Sequence, residues 1–265
     1  MMETEKELGD DGDKNGGGNN NGGPAVRVKA LRKSFGQQTV LDGVDLEVKR
    51  GETVTVLGRS GTGKSVLLKL IIGLQKPDAG SIEVRGEEVT NLPLDRLNEI
   101  RKKVGFLFQH AALYDSLTVE ENVAFPLRRH TEMADDERKD RVRELLQRVG
   151  MEKDLEKLPA DISGGMKKRV GLARALALDP EIILLDEPTA GLDPITAREI
   201  IELIAGMQQE RQVSALLVTH DMRSVEALAD RVALLDAGNI KAEGTLEEVR
   251  KSDDPFVSEF LQESF

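Results

Sequence analysis

Cysteine is absent from all 265 residues. That excludes disulfides, iron–sulfur ligation and thiol nucleophiles, and it fits a reducing compartment such as the cytosol. No stretch of about eighteen apolar residues occurs, so no spanning helix is expected. The opening "MMETEKELGD" has neither the basic flank nor the apolar centre of a secretory signal. Basic charge is in deficit: 37 Lys and Arg face 48 Asp and Glu, a net of −11. That balance argues against nucleic acid as a partner. Residues 1–14 hold six acids and two lysines, so they carry −4 of the total and the remainder carries −7. No internal repeat is visible.

What is present suits a well-cored domain, with 39% hydrophobic and 32% charged residues. The segment "GDKNGGGNNNGGP" cannot bury apolar surface, so residues 1–24 are expected to form a flexible, acidic leader rich in glycine and asparagine. Order is expected from Ala25. "VRVKAL" and "GVDLEVKRG" alternate as half-buried strands do. "ETVTVLG" reads as a buried strand entering a glycine loop, and "SVLLKLIIGL" as a helix ended by Gly73. "SIEVRG" and "KKVGFLFQ" read as further strands. From Leu117 to Leu158 only helical patterning follows. Val142, Leu145, Leu146 and Val149 fall at one helical face, and Gly150 is a natural stop. A helical insertion over about 110–178 is therefore expected within an α/β core.

The core resumes with the buried strand "EIILLDEP". Asp193 is placed to cap a helix opening on Pro194. "VSALLVTH" is another buried strand, "RSVEALAD" a helix, and "RVALLDAGNIKAEG" a hairpin turning at Ala237-Gly238. Thr245 and Glu248 make a capping box for a last helical segment. Strands alternating with helices imply a mostly parallel sheet flanked by helices on both faces.

"GRSGTGKS" at 58–65 matches a phosphate-loop pattern between an expected strand and an expected helix. Its glycines let backbone N–H groups turn inward on phosphate oxygens. Lys64 supplies a point charge for the β- and γ-phosphates, and Ser65 a hydroxyl for Mg²⁺. The nucleotide is expected on Gly58, Arg59, Ser60, Gly61, Thr62, Gly63, Lys64, Ser65 and Val66. "IILLDE" ends in Asp186, which can hold the ion through water. Glu187 beside it is free to accept a proton from an attacking water. Gln109 ends "VGFLFQ", where its amide could sense metal and water, and His220 ends "ALLVTH", within reach of a γ-phosphate. Each strand ends in a polar residue, and strand ends are where α/β sheets collect ligands. A second anion cradle is encoded in "DISGGMKKRV", where Ser163, Gly164 and Gly165 precede a helix whose start attracts negative charge.

In this order and spacing "GRSGTGKS", Gln109, "ISGGM", "IILLDE", "AGLD" and His220 resemble an ABC-type ATPase, the nucleotide-binding subunit of a transporter, over residues 26–250. The resemblance implies a P-loop NTPase core with an antiparallel β subdomain and an inserted helical subdomain. It assigns 25–250 to the ATPase domain and leaves 251–265 as a helical tail. It implies ATP and Mg²⁺, with Ser65, Gln109 and Asp186 toward the metal and Glu187, His220 and Gln109 as catalytic residues. Phe35 resembles the aromatic that stacks on adenine, with a core position as the other reading.

Two subunits of this family pack head to tail, so Ser163, Gly164, Gly165 and Met166 would close on the partner's nucleotide and Asp193 would couple the two sites. Ile162 and Met166 depart from the usual Leu-Ser-Gly-Gly-Gln, and Met166 removes an amide. The resemblance further implies a homodimer on an integral permease at the cytoplasmic face of the inner membrane. "SGGMKKRV" and "FPLRRH" look most like the ATPases of Mla-type phospholipid transporters, which work with Mce-domain proteins. Other ABC importers or exporters, and soluble ABC ATPases such as those of iron–sulfur assembly, are the alternatives. "AALYDSLTV" could receive a permease helix or fill the core. Arg128, Arg129, Lys167, Lys168 and Arg169 are expected to solvate a face, with lipid headgroups as the other reading.

Overall fold

The computed structural model describes residues 23–264. Residues 1–22, most of the expected leader, lie outside them. The chain opens with strands β1 (Val26–Phe35) and β2 (Gln38–Val48), then β3 (Thr53–Leu57) and helix α1 (Lys64–Ile71). Strands β4 (Ala79–Val84) and β5 (Glu87–Glu88), helix α2 (Leu94–Arg101) and strand β6 (Val104–Leu107) follow. Helices α3 (Val119–His130), α4 (Asp135–Arg148) and α5 (Gly164–Ala175) come next. Strand β7 (Ile182–Asp186), helix α6 (Pro194–Arg211), strand β8 (Ser214–Thr219) and helix α7 (Met222–Leu228) resume the alternation. Strands β9 (Arg231–Asp236) and β10 (Asn239–Gly244) and helices α8 (Leu246–Arg250) and α9 (Pro255–Ser264) complete it.

Two sheets result. One is antiparallel, in the order β2-β1-β4-β5. The other has the order β10-β9-β3-β8-β7-β6, parallel throughout except for β10. Its central strands are buried on both faces, which is why β7 and the middle of β8 read as apolar runs, while β3 buries Thr53 and Thr55 among its aliphatic residues. Alternation still sorts the side chains. Ile182 and Leu184 join the core shared with α1 and the antiparallel sheet, whereas Ile183 and Leu185 join the core under α3–α6. Leu57, Val232 and Leu234 face α7, α8 and α9 in a third cluster.

Local signals formed as written. Thr245 with Glu248 makes a reciprocal cap, and Asp193 caps α6 ahead of Pro194; a further reciprocal cap, Thr118 with Glu121, was not read from the sequence. Gly150 adopts φ +69° after α4, and Met151 N–H returns to the Leu146 carbonyl at 2.7 Å. Other features depart from the sequence reading. Helix α2 was not legible, because only Leu97 and Ile100 of its eight residues are buried. The helices of the expected insertion, α3, α4 and α5, share one core with β6 and β7. Among the described residues no helix is long and apolar enough to cross a membrane.

Asn122 shows how the loop before α3 is held. It is fully buried, accepts from Tyr114 N–H at 2.8 Å, and donates to the carbonyls of Tyr114, Leu117 and Thr118 at 3.0–3.1 Å. Asn122→Ala should destabilise the fold by about 1–3 kcal/mol, the cost of stranding buried backbone groups. Urea unfolding followed by circular dichroism measures this, with an unchanged m-value if the native state keeps its compactness.

Candidate active site

Parallel strands place their carboxyl ends on one edge, and the order β3-β8-β7-β6 sets four loops side by side there. From β3 comes the phosphate loop, from β8 His220, from β7 Asp186 and Glu187, and from β6 Gln109. Sequence order alone would have separated these residues by up to 162 positions.

The loop has little room for side chains. A Cβ on Gly58 would lie 2.4 Å from the Leu235 carbonyl oxygen. Gly63 sits at φ +101°, where a Cβ would also meet Val40 Cγ1 at 2.7 Å. Behind it Lys64 is buried, and its ammonium donates to the carbonyls of Gly58 at 2.8 Å and Arg59 at 3.0 Å. It lies 3.7 Å from the Glu187 carboxylate. Desolvation lowers the Lys64 pKa, and the charge of Glu187 opposes that shift. Ser60 and Gly61 are exposed, Thr62 donates to the Arg59 carbonyl at 2.9 Å, and Val66 packs on the core.

Ser65 Oγ donates to Asp186 Oδ1 at 2.7 Å, so two oxygens converge where a hard cation can bind. Burial raises the Asp186 pKa, Ser65 opposes that, and Glu187 adds to it. A cation would relieve the cost of this buried charge. Among the described residues no cluster of three or more His, Cys, Asp or Glu side chains could hold a metal. Two protein oxygens with water and phosphate oxygens completing the shell is the pattern that suits Mg²⁺. Gln109 is exposed two residues beyond β6, on the strand next to Asp186.

Glu187 is buried, and its backbone takes φ +46°, unusual for a residue with a side chain. Its carboxylate accepts from Thr219 Oγ1 at 3.2 Å and lies 3.0 Å from His220 Nδ1. Its carbonyl accepts from the Lys168 ammonium at 2.9 Å. The sequence reading placed neither Thr219 nor Lys168 at this site: Thr219 was only the end of a strand, and Lys168 one charge of a basic run. The placement of Lys168 corrects the expected basic face: it is 4% exposed, and burial lowers its pKa to about 8 against the opposing charges of Asp186 and Glu187. Arg169 is likewise tied down, to the Val149 carbonyl and Glu199.

Arg59 leans away from the loop centre, pairing with Glu259 at 3.1 Å above the Phe256 ring of α9. Phe35 is 47% exposed at the end of β1, which excludes the core alternative. Val40 and Leu41 of its hairpin partner strand lie against Gly63 of the phosphate loop.

The second cradle lies apart from these groups. Ser163 and Gly164 are exposed, and Ser163 Oγ accepts from Met166 N–H at 3.3 Å. A Cβ on Gly165 would strike Thr196 Cγ2 at 2.4 Å, so the start of α5 fits closely on the start of α6. Asp193 accepts there from Ile195 N–H, Thr196 N–H and Thr196 Oγ1. Met166 packs partly into the helical core. Ser163 and Gly164, the exposed part of this Ser-Gly-Gly-Met signature, therefore form one patch with Asp193.

Residues 41–190 match the family model described as ABC transporter. The chain belongs to the ABC transporter family. It is 44% identical over 239 residues to the probable ribonucleotide transport ATP-binding protein mkl of Mycobacterium leprae, covering 90% of this chain and 69% of that protein. It is 44% identical over 219 residues to the methionine import ATP-binding protein MetN of Rhizobium johnstonii, covering 83% and 60%. The chain thus spans roughly two thirds of these relatives' lengths. Among solved structures it resembles the dimeric, post-hydrolysis ATP-binding cassette MJ0796 bound to ADP and Pi, with 35% identity and a TM-score of 0.78 over 83% of this chain and 98% of that one. The protein is an ABC ATPase, binding and hydrolysing ATP with Mg²⁺ on the P-loop fold of its family.

Asp186→Asn keeps an acceptor for Ser65 but removes the buried charge. Because the folded-state pKa is raised, ionising Asp186 costs stability as pH rises from its unfolded value through the folded one. The variant without nucleotide should therefore melt a few degrees higher at pH 7 by calorimetry, with the gain vanishing near pH 3. Its Mg²⁺-dependent phosphate release should fall by about 10²-fold or more.

Proposed function

We propose that two copies of this chain close head to tail on two ATP molecules, and that closure and opening drive a permease at the cytoplasmic face of the cytoplasmic membrane. The observation that carries this reading is the division of labour on the surface. The phosphate loop gathers Lys64, Ser65, Asp186, Glu187 and His220, while Ser163 and Gly164 stand exposed on a separate patch with Asp193. A helix start with free N–H groups attracts a γ-phosphate, and a two-fold pair supplies each phosphate loop with its partner's helix.

In the closed pair Lys64 neutralises β- and γ-phosphate oxygens, and the exposed Phe35 ring offers a face to adenine. Ser65 and Asp186 would hold Mg²⁺, with Gln109 at the adjacent strand end, and the ion supplies charge stabilisation on the phosphates. The Glu187 carboxylate takes the proton of the attacking water. Its contact with His220 Nδ1 leaves Nε2 of that ring for the γ-phosphate. Shifting an open-closed equilibrium from 1:99 to 99:1 takes about 5.5 kcal/mol, within reach of several charge-assisted contacts at each of two nucleotides.

For the permease we propose the groove of about 470 Å³ between β6, α2 and α3, lined by Phe106, Phe108, Tyr114, Phe125, Pro126 and Arg174. Tyr114 and Phe125 are 47% and 39% exposed, and their rings pack 4.6 Å apart. An apolar helix end entering there would cover them. The same "AALYDSLTV" segment also buries Ala111 and Val119, so it serves core and surface together.

For cargo we propose phospholipid, moved by an Mla-type system with an Mce-domain partner. The support is the "SGGMKKRV" and "FPLRRH" runs, whose basic residues Arg128 and Arg129 are exposed. Ribonucleotide and methionine, the cargoes in the relatives' names, are the competing outcomes. With the permease from the same operon in vesicles, phosphate release should rise with the lipid-carrying partner. Stimulation by methionine or a ribonucleotide instead would replace this cargo.

The shared sites have a direct test. Lys64→Ala and Ser163→Arg should each abolish turnover as homodimers, with monomer ATP affinity lost only in the first. Mixed equally, half of the pairs carry one sound site of two, so about a quarter of parental turnover should return. No recovery on mixing would overturn the shared-site reading.

A further inference from the structure

Glu187 carries two demands at once. Its carboxylate must stay among Lys64, Thr219 and His220, and its backbone must hold φ +46° to put it there. The residue's N–H still continues the ladder, donating to the Val218 carbonyl at 2.9 Å. Its carbonyl accepts from two donors, the Lys168 ammonium at 2.9 Å and, more weakly, Ala190 N–H at 3.2 Å.

An ammonium with 4% exposure is an expensive choice for that task. Lys168 stands on α5, five residues after Ser163, on the helix that presents the signature. Desolvation weakens its charged form, and the fields of Asp186 and Glu187 hold the proton on. An apolar side chain at this place would leave the Glu187 carbonyl only the longer bond from Ala190 N–H, and would leave Lys64 as the cation beside Glu187.

We propose that Lys168 is a positioning residue for the base, fixing the Glu187 peptide in its left-handed turn so that the carboxylate stays aimed at the attacking water. The inference rests on the reading of Glu187 as the base. It has a mechanical corollary. The signature that meets the partner's γ-phosphate and the base that acts on the chain's own ATP are pinned to one another through α5, so engagement of one site is felt at the other.

The full chain with its Mg²⁺ and ATP is the material for the test. Lys168→Met keeps the stem and removes every donor. Its kcat should fall by about 10²-fold, the scale of a small misplacement of a reacting group, while KM for ATP stays within about twofold. Lys168→Gln restores one donor and should recover part of the loss. In a Glu187→Gln background, Lys168→Met should add nothing, because there is no base left to aim.

A purely structural lysine would give a different pattern: lower ATP affinity, and the same fold-loss in both backgrounds. That result overturns the proposal, as does a Lys168→Met variant with parental kcat. Should Lys168→Met not fold, Lys168→Gln is compared in the two backgrounds by the same criteria. If Glu187→Gln itself keeps parental turnover, the base assignment falls and the proposal with it. If Glu187→Gln is inactive while Lys168→Met is not, the proposal alone falls.

Discussion

Two lysines and two carboxylates share a space that water scarcely enters. Lys64, Lys168, Asp186 and Glu187 are each less than a tenth exposed, and opposite charges lie close together among them. Burying any one alone would cost several kcal/mol; together the charges offset one another and each finds hydrogen-bond partners. A core of aliphatic residues would be the simpler solution for stability. The quartet is kept where phosphate chemistry needs fixed charge in a poorly screened place, the condition under which electrostatic stabilisation of a transition state is strongest.

The sheet explains how such a cluster can exist. Five parallel strands, covered on both faces, end at one edge, where their last carbonyls and the loops beyond them meet solvent from one side only. The strands supply rigidity and the loops supply chemistry. Glycine at 58 and 63 is then a geometric requirement, since the backbone of the loop runs against Leu235 on one side and Val40 on the other.

Helix α5 joins parts that would otherwise be independent. Its first turn is the exposed anion cradle, its second carries Lys168 to the base, and its last carries Arg174 to the carbonyls of Ala111 and Ala112 at 2.7–2.8 Å. Both alanines sit at positive φ in the loop after Gln109, and Arg174 also lies over the Tyr114 ring of the surface groove. One rigid element therefore touches the patch proposed to meet the partner, the hydrolytic edge and the groove proposed for the permease. Such an element can only move as a unit, which is how a change at a phosphate becomes a change at a distant surface.

Local information decided a good part of this protein. The glycine loop, the caps at Asp193 and Thr245, the hairpin at Ala237-Gly238 and the stop at Gly150 were legible because each is a matter of a few consecutive residues. So were the buried strands, whose apolar runs have one use in an α/β sheet. Helix α2 was not, since its polar stretch has too few buried positions to show a period. Lys168 read as one charge among several, Thr219 as the end of a strand, and Arg59 as part of the phosphate loop. Only the tertiary structure buried the first against Glu187, turned the second onto its carboxylate and drew the third to α9. Hydrogen bonds to a backbone carbonyl and packing across a core leave no pattern in sequence, because any residue offers a carbonyl and the fold alone chooses which donor reaches it.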